Sequence, residues 1–349
     1  MLIADCVPDM TNSTVHIYPY CQDHLSGMLE AYNAQTAHEP HIAPLTAGSF
    51  VALVESKSYF DPSGLFVATQ AGRVRGWVHA CVAPGTEPWN PNDQSAAQIC
   101  MLLFPADQLK VGQALVNEAT RWLQQSNAQT LLALSPAYGY PFYRGLWLGG
   151  EPMGPASLPQ VQLALEVGGY KIVQASIFMT AAFDAPPDDV SLPDGVELVE
   201  EVAVTAHAAN RESWAGFEPM RVQAIADGQA AGAIGWVVLR HVAERLGAAC
   251  INIWSLSVKE PYRQRGLASA LVARALRRGH ALDARYASVG TQLWNAPAHA
   301  TYARFGFVAR TMMFGHARSC SASRCREAEA VVASAALHQP VAFAARLQP

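Results

Sequence analysis

Residues 251–271 read INIWSLSVKEPYRQRGLASAL, and this stretch decides the fold of the second half of the chain. The apolar run 251–258 alternates moderately and predicts a β-strand that ends at a proline-containing turn. A helical pattern follows, because Leu267, Leu271 and Ala275 fall on one helix face. The stretch therefore predicts a strand, a turn and an amphipathic helix in direct succession.

The turn before this helix has the composition of an anion site. Helix N-termini present unpaired backbone N–H groups at the positive end of the helix dipole, where phosphates bind well. Gly266 and Ala268 are small enough to let an anion approach, and Arg263 and Arg265 are cationic. An ordinary helix start with solvated arginines explains the same residues, so the turn alone indicates at most an anion.

A second chemical element lies further along the chain. Residues 287–293 predict a strand, and 298–305 predict a short helix that ends at Gly306. Asn295 precedes this helix and Tyr302 lies within it. Taken alone, Asn295 is a helix cap and Tyr302 a half-buried core residue.

The chain contains one internal repeat. Gly76-Trp77-Val78 recurs as Gly235-Trp236-Val237, and Ala114-Leu115-Val116 recurs as Ala270-Leu271-Val272. In both halves the first motif lies in a strand-like run and the second opens an amphipathic helix. Each half then reads as strand, helical region, strands, helix, strand, helix and strand, which predicts an α/β (α+β) fold with a mixed sheet.

Proline-rich turns divide the repeats at 185–189 and 192–195. We therefore expect a first domain over 10–185, a second over 190–316, and a low-complexity tail over 317–349. Within the tail, 325–337 is compatible with a helix.

The second half resembles the GCN5-related N-acetyltransferase (GNAT) family. The pyrophosphate-loop pattern of that family, Arg/Gln-x-x-Gly-x-Gly/Ala, is matched by Arg263, Gly266 and Ala268. Its later pattern, an Asn, then a Tyr seven residues on, then Gly-Phe, is matched by Asn295, Tyr302, Gly306 and Phe307. The resemblance implies two tandem GNAT domains of the mycothiol synthase-like architecture, with acetyl-CoA as the co-substrate of an N-acetyltransferase.

The resemblance also implies a role for each matching residue. The backbone of Leu256, Ser257 and Val258 would pair with pantetheine, and the Val258 N–H would donate to the oxyanion. Asn295 would contact pantetheine at the catalytic centre, and Tyr302 would face the thioester sulfur as the general acid. The pyrophosphate would bind at Arg263, Gln264, Arg265, Gly266, Leu267, Ala268 and Ser269.

The sequence does not assign the general base, because no acidic residue lies on 251–258. Glu212, Glu218 and His241 are the candidates. The aromatic residues of this half fit an acceptor pocket or ordinary core packing equally well; they are Trp214, Phe217 and Trp254.

The first half lacks the matching chemistry. A gapless comparison places Asp107, Lys110 and Gly112 opposite Arg263, Gly266 and Ala268, and Leu165 opposite Tyr302. We therefore expect a degenerate, noncatalytic first domain. It also carries an insertion segment, 136–159, whose aromatic residues either cover the partner site or, more simply, pack between the halves; they are Tyr138, Tyr140, Phe142, Tyr143 and Trp147.

Composition narrows the remaining function classes. The 349 residues are 51% hydrophobic and 15% charged with a net charge of −4, which suits large cores and disfavours nucleic acid as a partner. No apolar run approaches about 18 residues, so no membrane partner is expected. Seven irregularly spaced cysteines disfavour disulfides and indicate a cytoplasmic protein. His38 and His41 flank a proline and predict no metal site.

Two functions remain open at this point. The first is an enzyme that acetylates a primary amine of a small molecule or peptide, such as an amino acid, polyamine, aminoglycoside-type drug or mycothiol-like precursor. The second is a noncatalytic acyl-CoA-binding or protein-interaction module built on two GNAT folds. A homodimer is compatible with both.

Overall fold

The computed structural model describes residues 14–84, 95–126, 128, 130–136, 142–203 and 212–319. The first half runs through β1 His16–Pro19, α1 Leu25–Thr36, α2 Ala47–Phe50, β2 Leu65–Gln70, β3 Arg73–Pro84, β4 Ser95–Leu103, α3 Leu109–Leu123, β5 Thr130–Ala133, β6 Gly154–Pro155, α4 Pro159–Val167 and β7 Lys171–Ala182. The second half runs through β8 Val196–Val202, β9 Met220–Ala226, β10 Gln229–Leu239, α5 Ala243–Leu246, β11 Ala249–Val258, α6 Leu267–His280, β12 Ala284–Gln292, α7 Ala296–Ala303 and β13 Val308–Ser319.

All described strands join one continuous mixed sheet. Its order is β1-β2-β3-β4-β5-β13-β7-β12-β11-β10-β9-β8, and β6 pairs with β13 outside this path. Two ladders are parallel, β4 with β5 and β11 with β12, and the others are antiparallel. The predicted α/β class with a mixed sheet is confirmed.

The halves exchange their last strands. β7 ends the first half, yet it pairs with β12 of the second half from Tyr286↔Ala182 to Gln292↔Ser176. β13 ends the second half, yet it pairs with β5 of the first. β7 and β13 also pair with each other at the centre of the sheet. Each half therefore completes its sheet with a strand from the other.

The repeated sequence motifs occupy equivalent places in the two halves. Trp77 lies in β3 and Trp236 in β10, and both side chains are fully buried. Leu115 in α3 and Leu271 in α6 are buried against these strands in two separate hydrophobic cores. The periodicity that predicted amphipathic helices is thus explained by one apolar face on each helix.

The tail from 320 onward, including the candidate helix 325–337, lies outside the described residues. Within the described ranges no helix is long and apolar enough to cross a membrane.

Candidate active site

The parallel strands β11 and β12 separate part-way along their length. Their ladder runs from Ala249↔Ala284 to Ile253↔Val289 and ends there. β11 continues alongside β10 as far as Gly232↔Val258, with a bulge that leaves Trp254 without a partner. We call the space between 254–258 of β11 and 290–292 of β12 the strand gap.

Backbone groups of β11 face this strand gap. The Lys259 N–H donates to the Ala231 carbonyl at 2.8 Å. Because residues of an antiparallel ladder alternate between bonding the partner and facing away, Ser257 bonds β10, whereas Leu256 and Val258 face the gap. The Val258 carbonyl accepts a hydrogen bond from Arg263 Nε at 3.0 Å. The N–H groups of Leu256 and Val258 and the Leu256 carbonyl are left to bind an extended ligand.

The turn between β11 and α6 forms an anion nest. Gln264 and Gly266 both have a positive φ, 60° and 81°, so successive N–H groups point to one side. Within the described residues, the N–H groups of 264–269 donate no hydrogen bond. A Cβ on Gly266 would meet nothing within 4 Å, so glycine is needed there for its backbone angle rather than for space. α6 is 14 residues long and adds its dipole to the nest.

Tyr302 lies on α7, which packs against α6, and Asn295 is the residue that precedes α7. The Asn295 side-chain oxygen accepts from the Ala298 N–H at 3.3 Å, so Asn295 caps the helix, as its simplest interpretation expects. Tyr302 is only 3% exposed and belongs to the same hydrophobic core as Leu267 of α6. Burial raises the pKa of the Tyr302 phenol, which therefore stays protonated at neutral pH.

Among the residues that the structure describes, no contact joins the strand gap to the three residues that the sequence offered as the general base. The Glu212 carboxylate accepts hydrogen bonds from the backbone N–H and the hydroxyl of Ser58, at 2.5 and 2.6 Å, and so ties the halves together. Glu218 is exposed. His241 follows β10 beyond Leu239, which pairs with Cys250 near the far end of β11, and burial lowers the His241 pKa.

Aromatic residues cover the face of the strand gap opposite α6. The Trp254 ring lies over Gly235, where a Cβ would be 2.3 Å from Trp254 Cζ2. Trp214 is 6.0 Å from Trp254 between ring centroids, and the guanidinium of Arg144 stacks 3.7 Å above Trp214. The third aromatic candidate, Phe217, contacts Trp214 on the side of His241. Trp214 therefore contacts Trp254 of β11, whereas Phe217 lies between Trp214 and His241.

Sequence reasoning missed one carboxylate at the strand gap, Glu151. Its Cγ lies 3.2 Å from the position of a Cβ on Gly290, the first residue of β12 beyond the paired ladder. Two residues before Glu151, Gly149 packs on Asn252 of β11 and on Ser288 of β12. Burial raises the pKa of Glu151 from its ordinary 4.5 to about 7, although the charge of Arg144 opposes this shift. No sequence signal pointed to Glu151, because it belongs to the first half.

The equivalent cleft of the first half is filled. β4 and β5 separate after Ile99↔Ala133, and the side chains of Phe142, Tyr143 and Trp147 occupy the opening. Tyr143 Oη lies 2.7 Å from His79 Nδ1, which fixes this packing. The cavity that remains is ≈ 10 Å³, about the space of one water molecule. These aromatic residues therefore plug their own half; Tyr138 and Tyr140 lie outside the described ranges.

The turn before α3 differs from its counterpart as well. Only residues 104–108 join β4 to α3, whereas 259–266 join β11 to α6. Gly112 lies against the Phe104 ring, 2.2 Å from a built Cβ, so packing explains this glycine. Relative to the repeated Ala-Leu-Val motif, α3 begins two residues earlier than α6, so Lys110 lies inside its helix whereas Gly266 precedes its own.

His41 is buried in the fold, whereas His38 is exposed. The His41 ring contacts Phe178 at 5.5 Å, and burial lowers its pKa to about 4. In the described part of the chain, no group of three or more His, Cys, Asp or Glu side chains could hold a metal ion.

Comparison with known proteins agrees with this architecture. Residues 192–307 match the model of the acetyltransferase (GNAT) family. No curated protein matches the chain. Among solved structures, a GCN5-related N-acetyltransferase from Sphaerobacter thermophilus is 15% identical with a TM-score of 0.58, covering 90% of this chain and 96% of that one.

Two further solved structures share the fold. A tandem GNAT protein from the clavulanic acid biosynthesis pathway is 18% identical with a TM-score of 0.59, covering 88% of this chain and 99% of that one. A putative acetyltransferase from Pyrococcus horikoshii is 12% identical with a TM-score of 0.53, covering 88% and 90%. Residues 192–307 therefore match the GNAT acetyltransferase family model, and the chain shares the fold of a tandem GNAT protein.

Proposed function

We propose that the second half transfers an acetyl group from acetyl-CoA to a primary amine of a small molecule or peptide. The observation that carries the proposal is the meeting of an open β11 edge with an anion nest at the start of α6. The first suits an amide-rich extended arm and the second suits a pyrophosphate. Coenzyme A contains an amide-rich pantetheine arm joined to a pyrophosphate. The arm would lie along β11 and the pyrophosphate at the turn that follows β11.

The binding roles follow from this geometry. Pantetheine amides would pair with Leu256 and Val258, and the side-chain amide of Asn295, whose oxygen already caps α7, would supply a further contact. Ser257 lies between Leu256 and Val258, and its backbone would border the pantetheine while bonding β10. The pyrophosphate would lie on the nest N–H groups, with Arg265 adding charge while Arg263 is anchored to the Val258 carbonyl. The nest comprises Gln264, Arg265, Gly266, Leu267, Ala268 and Ser269.

The reaction is a direct displacement in this scheme. The amine nitrogen attacks the acetyl carbonyl, a C–N bond forms, and the oxyanion receives a hydrogen bond from the Val258 N–H. The C–S bond then breaks, and Tyr302 gives its phenolic proton to the departing thiolate. Burial suits Tyr302 to this role because it keeps the phenol protonated.

The first half would be a noncatalytic GNAT-like domain over 10–185, followed by the catalytic domain over 190–316. The plugged cleft and the short turn before α3 support this assignment. The exchange of β7 and β13 means that these sequence ranges would not be independent folding units. A cytoplasmic location and a homodimer stay predictions.

The rival function is an acyl-CoA-binding or interaction module without catalysis. Free-thiol release from acetyl-CoA with a panel of primary amines separates the two. We expect one or more amines to stimulate thiol release by the full chain. A protein that binds acetyl-CoA but releases thiol with none of these amines would instead be such a module.

A further inference from the structure

The second half offers no carboxylate of its own on the strand that would hold the thioester, so the proton of the acceptor ammonium needs another destination. An amine attacks a carbonyl only after it has lost a proton. We propose that Glu151, carried by the insertion segment of the first half, accepts this proton. The inference rests on the proposed acetyltransferase function.

The Glu151 side chain lies at the apex of the strand gap. Gly290 follows Val289, the last residue of β12 paired with β11, so Gly290 marks the apex of the strand gap. The Glu151 side chain lies directly over Gly290, with its Cγ and Cδ 3.2 and 3.3 Å from a built Cβ. A thioester that ends an arm laid along 254–258 has its carbonyl carbon near this apex.

Glu151 and Tyr302 lie on opposite faces of the sheet. Ile251 and Ile253 point toward α6 and share its core with Tyr302, whereas Asn252 and Ser288 contact the insertion segment. Glu151 therefore approaches the strand gap from the face opposite to Tyr302. A base on one face and an acid on the other suit a nucleophile and a leaving group on opposite sides of the same carbonyl.

The Glu151 carboxylate is available to accept a proton. Within the described residues, the Glu151 carboxylate makes no hydrogen bond and no ion pair, unlike Glu212, whose two oxygens are engaged by Ser58. Glu151 is half-buried, so one side of it remains accessible. An unengaged, partly desolvated carboxylate is a stronger base than a solvated one.

The surroundings of Glu151 contain one charged group that acts on it, Arg144, on the same segment. Lys57 and Glu212 lie beyond Arg144, and Arg144 itself stacks on Trp214. The strands packed against Glu151 present Ser288 and Met313 near Gly290, and neither carries a charge. Burial raises the pKa of Glu151 more than the charge of Arg144 lowers it, so this pKa lies near neutrality. A general base is most effective when its pKa is near the working pH.

The proton balance is complete with these two residues. Glu151 takes one proton from R–NH₃⁺ and the free amine forms the C–N bond. As the C–S bond breaks, the CoA thiolate takes the Tyr302 proton. The new amide nitrogen loses its surplus proton to water, and Tyr302 regains a proton from water. Glu151 then releases its proton to water, so one proton leaves for each acetyl group transferred.

The test compares the full chain with Glu151→Gln, which keeps shape and removes the base. With primary alkylamines, which are protonated at neutral pH, we expect kcat to fall about 100-fold or more. Acetyl-CoA affinity by calorimetry should not change. The matched control is Glu166→Gln, an exposed carboxylate on α4 of the same half, which should keep full activity.

A second acceptor distinguishes a base from a structural role. Hydroxylamine is already unprotonated at neutral pH, so the Glu151→Gln defect should shrink several-fold or more with this nucleophile. The rate with alkylamines should rise with pH through about 7 in the wild-type protein. The rate of the Glu151→Gln variant should lack this increase near pH 7 and should rise only at higher pH, as the fraction of unprotonated amine grows.

The two acceptors separate a failure of Glu151 from a failure of the acetyltransferase proposal. Equal defects with both acceptors, or an unchanged rate with alkylamines, overturn the role of Glu151 while leaving the acetyltransferase proposal standing. A wild-type protein that releases thiol with neither acceptor overturns the proposed function and this inference together.

Discussion

Glu151 and Gly290 belong to different halves of the chain, and the Cγ of Glu151 lies 3.2 Å from where a Cβ on Gly290 would be. No side chain fits at 290 unless Glu151 and Met313 move, since the Met313 Cε is 3.1 Å from the same position. The glycine in β12 therefore lets the insertion segment lie close to the apex of the strand gap. The candidate site is built by both halves.

The stability of the fold should depend on pH through Glu151. Its pKa is raised from 4.5 to about 7, so between these values the folded state holds a proton that the unfolded state has lost. Stability from this group is complete below about pH 4.5 and is lost as pH rises through about 7. Relative to Glu151→Gln, the wild-type melting temperature should fall across this range; melting curves that stay parallel would contradict the burial of the carboxyl.

Tyr302→Phe should lower turnover while leaving acetyl-CoA affinity unchanged. The substitution removes only the hydroxyl, and the ring keeps its contact with Phe307 at 5.4 Å. Loss of a general acid reduces kcat by about 100-fold or more. Steady-state kinetics of thiol release measure the effect, with exposed Tyr18→Phe as the control; an unchanged kcat would remove Tyr302 from the acid role.

Gly266→Ala should weaken acetyl-CoA binding. An alanine at φ 81° costs about 1–2 kcal/mol in the left-handed region, so the turn relaxes and the nest N–H groups no longer converge. Gly247→Ala is the matched control, because Gly247 has φ 80° and also open space around it, but it ends α5 at the other end of β11. Both variants should lose similar stability. Equal losses of acetyl-CoA affinity would show that the nest is not the phosphate site.

The separated halves should not fold alone. A fragment over 190–319 lacks β7, which leaves the β12 edge unpaired and β13 without its partner. We expect circular dichroism and amide NMR dispersion typical of an unfolded chain for this fragment, and recovery when the fragment over 14–189 is co-expressed. A stable, monomeric 190–319 fragment would contradict the strand exchange.

Local features of the fold followed from the sequence, because they depend on neighbouring residues. The apolar alternation of 251–258 and the helical spacing of Leu267, Leu271 and Ala275 predicted β11 and α6 correctly. The repeat around Trp77 and Trp236 predicted that the two halves have equivalent strands and helices. These patterns reflect periodicities of 2 and 3.6 residues that a strand or helix imposes wherever it packs.

Features that depend on distant residues did not follow. The exchange of β7 and β13 leaves no trace in sequence, since a strand has the same pattern beside either neighbour. Glu151 lies far along the chain from Gly290, so no spacing rule connects them. Phe142 and Trp147 would be apolar whether they filled the cleft of the first half or packed between the two halves. Their composition therefore does not distinguish these two positions, which depend on where β5 lies.

Calorimetric titration with acetyl-CoA tests the central claim most directly, that the second half alone holds the coenzyme. We predict binding by the full chain with one site per chain, greatly weakened in the Arg263→Glu, Gly266→Val double variant. Absence of binding at about 1 mM acetyl-CoA, or an affinity that the double variant leaves unchanged, would contradict the account.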